Sequence, residues 1–231
     1  MNAIADSIKK NLEITNNQTL STSIYKAMKK TIVLGEIPAG ERINESALSE
    51  EMNISRTPIR VALEQLVDDQ LVKHVQGVGM IVIGISIKDA YEIYDIRKAL
   101  ETLAFTKAMH NMTEEDFMEI KNHLNNADQS YTESRVDDLV QNFSDFSVYV
   151  YRKSGMKRLP AIINELQAYL TYFRDLSIRS SERSKDALDE HYLILQGMYT
   201  RNEETVKLLV HEHLDRSLAF IITEMEQLNI D

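Results

Sequence analysis

Proline and glycine are scarce in this sequence, and their scarcity restricts the folds open to the chain. The 231 residues contain 3 Pro and 7 Gly, well below the usual shares of roughly 5% and 7%. No proline lies between Pro58 and Pro160. Folds built from β-strands need many tight turns, in which these two residues are favoured. The sequence therefore disfavours an all-β fold and predicts a mainly α-helical protein.

The second part of the chain consists of successive helical patterns, and we predict an all-α bundle over residues 84–231. Apolar residues recur there at helical spacing, and Thr113 with Asp116 three residues later is typical of a capped helix start. Six helices joined by short links favour a bundle. The predicted helices cover residues 87–110, 113–131, 134–154, 157–179, 184–200 and 203–228.

The first part of the chain has shorter elements. Residues 1–17 are polar and lack clear periodicity, so we expect a flexible N-terminal arm there. Apolar periodicity then predicts helices over residues 21–34, 45–52 and 55–69. Asn44 and Ser55 are the expected N-caps of the second and third of these helices.

A hairpin is predicted directly after these helices. Two runs rich in β-branched residues, 71–75 and 80–83, are joined by Gln76, Gly77, Val78 and Gly79. Two helices with a tight link, followed by a hairpin, form a winged helix-turn-helix, whose second helix enters the major groove of DNA. We therefore predict a winged helix-turn-helix DNA-binding domain over residues 18–83.

The charge is divided unevenly along the chain. The formal net charge is −10, which by itself argues against a nucleic-acid partner. However, residues 1–82 carry 9 Lys and Arg against 10 Asp and Glu, and the remaining residues carry 17 against 26. The acidity thus belongs to the second part, and a nearly neutral first part can still present a basic surface to phosphates.

Several classes of protein are excluded by composition. The chain has no Cys, so disulfides, thiolate metal sites and cysteine nucleophiles are ruled out. The first residues lack the apolar core of a signal peptide, and no run of about 18 apolar residues occurs. No G-x-S-x-G, H-E-x-x-H or phosphate-binding loop is present. We expect a cytoplasmic protein that has no membrane partner and is not an enzyme.

The candidate DNA-binding residues lie at the start of the third predicted helix and at the hairpin tip. Arg56 and Arg60 are four residues apart and project from one helix face, opposite an apolar stripe. The arginine fork can bind guanine or clamp a phosphate. The alternative is that both are ordinary solvated surface residues. The full set of candidates is Ser55, Arg56, Thr57, Arg60, Gln76 and Gly77, and Lys26, Lys29 and Lys30 are candidates for outer phosphate contacts.

The strings LSEEMNISRTPIRVALEQLVDDQLV and, before it, GEIPAGERINE resemble the winged-helix signature of the GntR family of bacterial transcription regulators. YDIRKALE and the DEHYLIL…VHEHL ending resemble the FCD effector domain of its FadR-type subfamily. The resemblance implies a homodimer that binds palindromic operator DNA and responds to a small molecule. Two departures occur: Gln70 replaces a usual Gly, and Ser46 replaces the operator-contacting Arg of fatty-acid-responsive members.

Two histidines are candidates for a ligand site in the helical part. His191 and His213 lie at equal distances from the predicted turn near Asn202, so an antiparallel helical hairpin brings both to the same height. Two imidazoles at one level suit a transition metal or an anionic ligand. Without the family resemblance, a pair of surface histidines is the alternative.

The resemblance implies a divalent metal as a candidate cofactor, with an incomplete set of ligands. FCD domains commonly hold a metal with an Asp-x-x-x-His pair and two further His. His191 and His213 match the latter, whereas Phe143 and Ser147 occupy the positions of the former pair. Two imidazoles alone make a weak site, and Asn142 or Asp145 would replace the missing ligands only in a shifted register.

The resemblance also implies a carboxylate-recognition set. Arg97 corresponds to the family's pocket arginine, which meets the carboxylate of the effector, and the implied set is Arg97, Thr102, His191 and His213. The alternative for Arg97 is an i,i+4 pair with Glu101. Arg174 is a further candidate, unless it pairs with Asp175 or Glu182.

The predicted function is regulation of transcription by a DNA-binding protein whose operator affinity depends on a small carboxylate. A narrower resemblance, to citrate-responsive members of the family, implies citrate. The alternative is a DNA-binding dimer that responds to no effector, in which the helical domain is only a dimerisation scaffold.

Overall fold

The computed structural model describes residues 3–14, 18–179 and 181–231, and these residues are mainly helical, as predicted. The chain divides into two compact units. One unit comprises Met1–Ile87 with Met225–Asp231, and the other comprises Lys88–Glu224. Among the described residues, no helix carries an apolar stretch long enough to span a membrane.

The first unit is a winged helix-turn-helix. Its three strands form one antiparallel sheet in the order β1-β3-β2, in which Val72 pairs with Val82 and Val75 with Gly79. The predicted hairpin is confirmed, and a short strand, β1, that the sequence did not predict joins its edge. The elements are α1 (Ala3–Asn11), α2 (Leu20–Val33), β1 (Arg42–Ile43), α3 (Glu45–Met52), α4 (Arg56–Asp68), β2 (Val72–Val75) and β3 (Gly79–Val82).

Local chemistry explains the turn between α3 and α4. The side chain of Asn44 accepts hydrogen bonds from the backbone N–H groups of Ser46 and Ala47, at 3.0 and 3.1 Å, so the predicted cap of α3 is confirmed. Asn53 ends α3 in the left-handed conformation, with φ of 53°. Ser55 has the backbone conformation of an N-cap, but its side chain makes no capping hydrogen bond. Ser55 therefore occupies the predicted N-cap position of α4 but does not stabilise it through its hydroxyl.

The expectation of a flexible arm over residues 1–17 is wrong for residues 3–11, which form α1. Ala5 and Ile8 are completely buried, and the side-chain amide of Asn11 donates to the hydroxyl of Thr31 at 3.1 Å. The helix is only 9 residues long, so its apolar repeat is too short to stand out in the sequence. Residues 1, 2 and 15–17 of the predicted arm lie outside the described residues.

The second unit is a helical bundle. The capping box at Thr113 and Asp116 is confirmed. The segment predicted as one helix over residues 157–179 is interrupted at Leu170, where the backbone leaves the helical conformation and the side chain is buried. The described residues therefore form seven helices in place of the predicted six: α5 (Ile87–Asn111), α6 (Glu114–Thr132), α7 (Val136–Lys153), α8 (Leu159–Tyr169), α9 (Thr171–Arg179), α10 (Ser181–Tyr199) and α11 (Glu203–Gln227).

Aromatic residues fill the interior of this bundle. The ring of Phe105 on α5 lies 6.1 Å from that of Phe146 on α7 and 6.4 Å from that of Tyr151. Such separations are within the usual range for packed aromatic pairs. A further buried cluster joins α6, α7 and α10 through Ala127, Leu139, Phe143, Ala187 and Leu188.

Candidate DNA-binding surface and ligand pocket

The start of α4 presents an exposed cationic surface. Arg56 and Arg60 are exposed, whereas the opposite stripe of the helix, which includes Ile59 and Leu63, is completely buried. Neither arginine forms an ion pair with a described residue, and the first turn of α4 contains no acidic side chain. Both guanidinium groups are therefore available to phosphates or base edges.

The tip of the wing is exposed as well. Gln76 and Gly77 are exposed, and Gly77 has φ of 76°, a conformation that favours glycine. A Cβ at Gly77 would meet nothing within 4 Å, so this glycine serves the turn and leaves the tip open. Ser55 and Thr57 are exposed beside Arg56.

One of the three candidate phosphate-binding lysines of α2 has another role. Lys29 is only 8% exposed, and its ammonium group donates to a carboxylate oxygen of Asp69 at 2.7 Å and to the hydroxyl of Tyr25 at 3.1 Å. It ties α2 to the end of α4, so the prediction that Lys29 contacts phosphate is wrong. Lys26 is exposed and Lys30 is half-buried.

A cavity lies inside the second unit, lined by α5, α7, α8, α9, α10 and α11. The cavity has a volume of about 80 Å³, several times the roughly 10–15 Å³ that one water needs. Most of the acidic and basic side chains in the lining are basic, and these side chains are Arg97, Glu101, Arg174, Arg183, His191 and His213.

Arg97 is both a pocket residue and the partner of Glu101. It is 5% exposed, its Nε donates to a carboxylate oxygen of Glu101 at 2.8 Å, and its guanidinium lies 4.5 Å from the ring centre of Tyr94. Burial alone lowers the pKa of Arg97, but the neighbouring charge of Glu101 raises it above its usual value. Arg97 is therefore a permanent cation held in one orientation.

The structure brings the two predicted histidines together. The rings of His191 and His213 are 4.7 Å apart between centres. His191 is buried, and this burial, followed by the positive charges of His213 and Arg183, lowers the pKa of His191 well below its usual value. The imidazole of His191 is therefore neutral at physiological pH.

A buried carboxylate, which the sequence analysis missed, orients this end of the cavity. Glu190 lies 2.6 Å from Nδ1 of His213 and accepts hydrogen bonds from Arg183 at 3.0 and 3.3 Å and from Arg216 at 3.2 Å. Burial raises the pKa of Glu190, but the hydrogen bond with His213 and the charges of His213 and Arg183 lower it below its usual value. The seven-residue spacing of Arg183 and Glu190, about two helical turns, was the available sequence signal.

Thr102 does not join the predicted carboxylate set. Its hydroxyl is buried without a hydrogen-bond partner among the described residues, and it is not part of the cavity lining. Five residues turn a helix by about 140° beyond a full turn, so Thr102 and Arg97 point to different sides of α5. Glu101, four residues from Arg97, lies on the same side as Arg97 and lines the cavity.

Arg174 lines the cavity from α9, and its guanidinium donates to the side-chain oxygen of Gln167 at 3.0 Å. It forms no ion pair with an acidic side chain in the described part of the chain. The side chains of the alternative partners, Asp175 and Glu182, lie outside the part of the chain that the structure describes.

The residues around the two histidines do not complete a metal site. The ring of Phe143 packs 4.8 Å from that of His191, and the hydroxyl of Ser147 donates to the carbonyl of Phe143. Asn142 donates to Ser130, and Asp145 accepts from Gln141, so these two side chains make other contacts. Over the described ranges, no group of three His, Cys, Asp or Glu is arranged to hold a metal ion. The protein donors alone therefore do not fit a metal.

Unsatisfied polar atoms concentrate at the cavity. Six buried side-chain polar atoms have no hydrogen-bond partner among the described residues, and four of them belong to residues that line this cavity. The hydroxyl of Tyr94 and Nε of Arg183 have no partner among the described residues, and the hydroxyl of Tyr151 and Nδ1 of His191 lie near Glu101 and the backbone of Ala187, respectively, without a hydrogen bond of good geometry. Buried polar groups are nearly always satisfied in folded proteins, so this concentration indicates a place for a polar ligand.

The fold and these two sites define a class of protein, a DNA-binding transcriptional regulator with a ligand-binding helical domain. Residues 20–82 match the family of bacterial regulatory proteins named gntR, and residues 92–216 match the FCD domain. The chain therefore belongs to the GntR family of transcriptional regulators and carries a C-terminal FCD domain.

Individual relatives support this assignment. The HTH-type transcriptional regulator YdhC of Bacillus subtilis (strain 168) is 28% identical over 207 residues, which cover 88% of this chain and 91% of that protein. The gluconate operon transcriptional repressor of Bacillus licheniformis is 27% identical over 195 residues, 81% of this chain and 79% of the repressor. The solved structure of E. coli McbR/YncC has the same fold, with a TM-score of 0.62 at 20% identity over 89% of this chain and 98% of that one.

Proposed function

We propose that this protein is a homodimeric GntR-family regulator whose affinity for operator DNA is set by a small carboxylate bound in the cavity of residues 88–224. The concentration of four unsatisfied buried polar atoms around one cavity carries the proposal. Leaving such groups unpaired is unfavourable by roughly 1–3 kcal/mol each, and a polar ligand relieves that cost. The relatives are regulators, so we assign the cavity to sensing and not to catalysis.

The lining favours an anionic ligand. Three arginines and two histidines line the cavity against a single carboxylate, that of Glu101. Guanidinium groups bind carboxylates through pairs of parallel hydrogen bonds, which are stronger than hydrogen bonds between neutral groups. Arg97 is held in place by Glu101 and Tyr94, so little side-chain entropy is lost when it binds a ligand.

Citrate is the first ligand to test. It carries three carboxylates and a hydroxyl, which match the guanidinium of Arg97 and the imidazoles of His191 and His213. Gluconate is the second candidate, because a relative of this chain is a repressor of the gluconate operon. Gluconate has one carboxylate and several hydroxyls, so the two ligands test different aspects of the lining.

The DNA-binding role uses the exposed residues of α4 and the wing. Arg56 and Arg60 contact base edges or phosphates in the major groove, Ser55 and Thr57 support them, and Gln76 with Gly77 approaches the backbone or minor groove. Two copies of the domain on a palindromic site require a dimer. The protein acts in the cytoplasm, where its DNA partner is found. Sedimentation of the full chain at micromolar concentration is expected to show a dimer.

Titration of DNA with and without effector tests the proposal. Genomic fragments selected by the purified protein are labelled, and binding is followed by fluorescence anisotropy with citrate, gluconate or neither, each with and without a divalent metal salt. We expect one carboxylate to change DNA affinity by roughly 5- to 150-fold, the usual range of allosteric coupling. His191→Ala is expected to keep basal DNA binding and lose this response.

Two results would count against the proposal. If neither carboxylate binds by calorimetry or shifts the DNA titration, with or without metal, these candidates are wrong. If a broader set of organic acids also fails, the helical domain serves as a dimerisation scaffold that senses no ligand.

A further inference from the structure

We propose that Arg183 contacts the ligand and, together with Arg174, forms a second cationic subsite of the cavity, separate from Arg97, that selects ligands with two or more carboxylates. This inference rests on the proposed function, because it concerns the same cavity. It names a residue that the sequence motifs do not single out and narrows the ligand from carboxylates in general to polycarboxylates.

The contacts of Arg183 leave one donor for a ligand. Its side chain is 10% exposed. The two terminal nitrogens donate to Glu190 at 3.3 and 3.0 Å, and Nη2 also donates to the hydroxyl of Ser217 at 2.9 Å. Nε, by contrast, is buried without a partner among the described residues, and Arg183 lines the cavity. The guanidinium is thus fixed by its terminal nitrogens while Nε remains to be satisfied.

The charge around Glu190 is not balanced. This one carboxylate accepts hydrogen bonds from both Arg183 and Arg216 and also lies 2.6 Å from Nδ1 of His213. Among the described residues, a single negative charge faces two guanidinium groups, so this cluster keeps a positive charge. Arg216 is mostly exposed to solvent, whereas Arg183 is buried at the cavity wall. An anion in the cavity therefore meets the excess charge through Arg183.

Arg174 adds to this excess. Its hydrogen-bond partner is the neutral side chain of Gln167, and it has no acidic partner in the described ranges. Arg97 differs from it, because the carboxylate of Glu101 already balances its charge at 2.8 Å. Among the described residues, a ligand with one carboxylate at Arg97 leaves unmatched the positive charge of Arg174 and the excess positive charge that Arg183 and Arg216 place around Glu190. A second carboxylate on the same ligand neutralises it, which is the physical basis of the proposed selectivity.

Calorimetry with a graded set of ligands tests the subsite. Wild type and Arg183→Gln are titrated with citrate, with tricarballylate, which keeps the three carboxylates but lacks the hydroxyl, and with gluconate. Each titration is run in resin-treated buffer and again with a divalent metal salt. Arg135→Gln is the matched control, because Arg135 is exposed, pairs with Glu133 and does not line the cavity.

We expect wild type to bind citrate and tricarballylate more tightly than gluconate. Arg183→Gln is expected to weaken the two polycarboxylates by about ten- to a hundredfold, the usual effect of losing a hydrogen bond to a charged group, and gluconate by about threefold or less. The control should leave all three dissociation constants unchanged. Arg183→Lys keeps the charge without the fork and is expected to fall between wild type and Arg183→Gln.

Removing a buried partner of Glu190 can unfold the domain, so Ser217→Ala provides a second measurement. It deletes one hydrogen bond that orients Arg183, keeps the charge, and is expected to weaken citrate several-fold and gluconate less. The inference is overturned if gluconate binds as tightly as citrate, or if Arg183→Lys and Ser217→Ala weaken all three ligands equally. If no carboxylate binds wild type, the proposed function fails and the inference falls with it. Carboxylate binding that ignores Arg183 overturns the inference alone.

Discussion

The proposed DNA-binding surface and the proposed ligand pocket use the same side chain, arginine, in opposite environments. Arg56 and Arg60 are exposed and form no ion pair with a described residue, whereas Arg97 and Arg183 are buried and bonded to carboxylates. An exposed arginine stays hydrated until it meets DNA. A buried arginine has lost its hydration and is strongly destabilising unless a partner charge compensates it. Substitutions in the pocket should therefore affect folding and ligand binding, and substitutions on α4 should affect only DNA binding.

The largest difference should appear at Arg97. Arg97→Ala leaves the buried carboxylate of Glu101 without its partner, and we expect the free energy of unfolding to fall by about 3–5 kcal/mol. Urea denaturation measures this loss. The double variant Arg97→Ala/Glu101→Gln removes the unpaired charge and should recover part of the stability without recovering ligand binding. Equal stability of Arg97→Ala and wild type would contradict the buried ion pair.

On the DNA-binding side, the same type of substitution should leave folding intact. Arg56→Ala and Arg60→Ala are each expected to weaken specific DNA binding by about 1–3 kcal/mol, and the double variant should lose it, as measured by anisotropy at moderate salt. Their denaturation midpoints should match that of wild type, since both side chains are exposed. Arg135→Ala, at another exposed arginine, serves as the control for DNA affinity. Unchanged footprints with both variants would show that α4 is not the recognition helix.

The stability of the helical unit should depend on pH through the buried histidine of the pocket. Because the pKa of His191 is lowered in the folded protein, its neutral form stabilises the fold fully above the unfolded pKa of about 6.5. As pH falls below that value, the unfolded chain takes up a proton that the folded chain does not. We therefore expect wild type to lose up to about 1.4 kcal/mol per pH unit from this residue.

Denaturation between pH 5 and pH 7 measures this effect through variants. The pH dependence should be shallower in His191→Leu than in wild type. Parallel curves for wild type and His191→Leu would refute the assignment of a buried neutral imidazole.

The smallest effect is expected in the DNA-binding unit, at the residue before the wing. Gln70 is exposed and has φ of 60°, a left-handed conformation that favours glycine. Gln70→Gly should raise the free energy of unfolding by up to about 1 kcal/mol. The same substitution at Gln65, an exposed position inside α4, should lower it by about 1 kcal/mol. Thermal denaturation of the two variants should shift in opposite directions, and shifts in the same direction would exclude backbone strain at Gln70.

Local signals in the sequence determined most of the DNA-binding unit. Asn44 and the apolar stripe of α4 specify their helices within a few residues, and the glycines of the wing mark its turn. Arg56 and Arg60 were predicted correctly to be exposed on α4, because the opposite face of one helix is defined by periodicity alone. The prediction for Lys29 failed because periodicity within one helix does not show which distant residue a side chain contacts. Its partner Asp69 lies 40 residues away in the chain.

The pocket depended on the tertiary structure. The spacing around the turn near Asn202 was enough to place His191 beside His213, because the rise per residue of two antiparallel helices is fixed. The contact of Glu190 with Arg216 and the closing of the cavity by Arg174 and Arg183 depend on how six helices pack. Periodicity shows which face of a helix is apolar, but it does not show which distant side chain a buried charge will meet. That choice follows from desolvation, because a charge taken out of water is stable only where packing brings a partner to it.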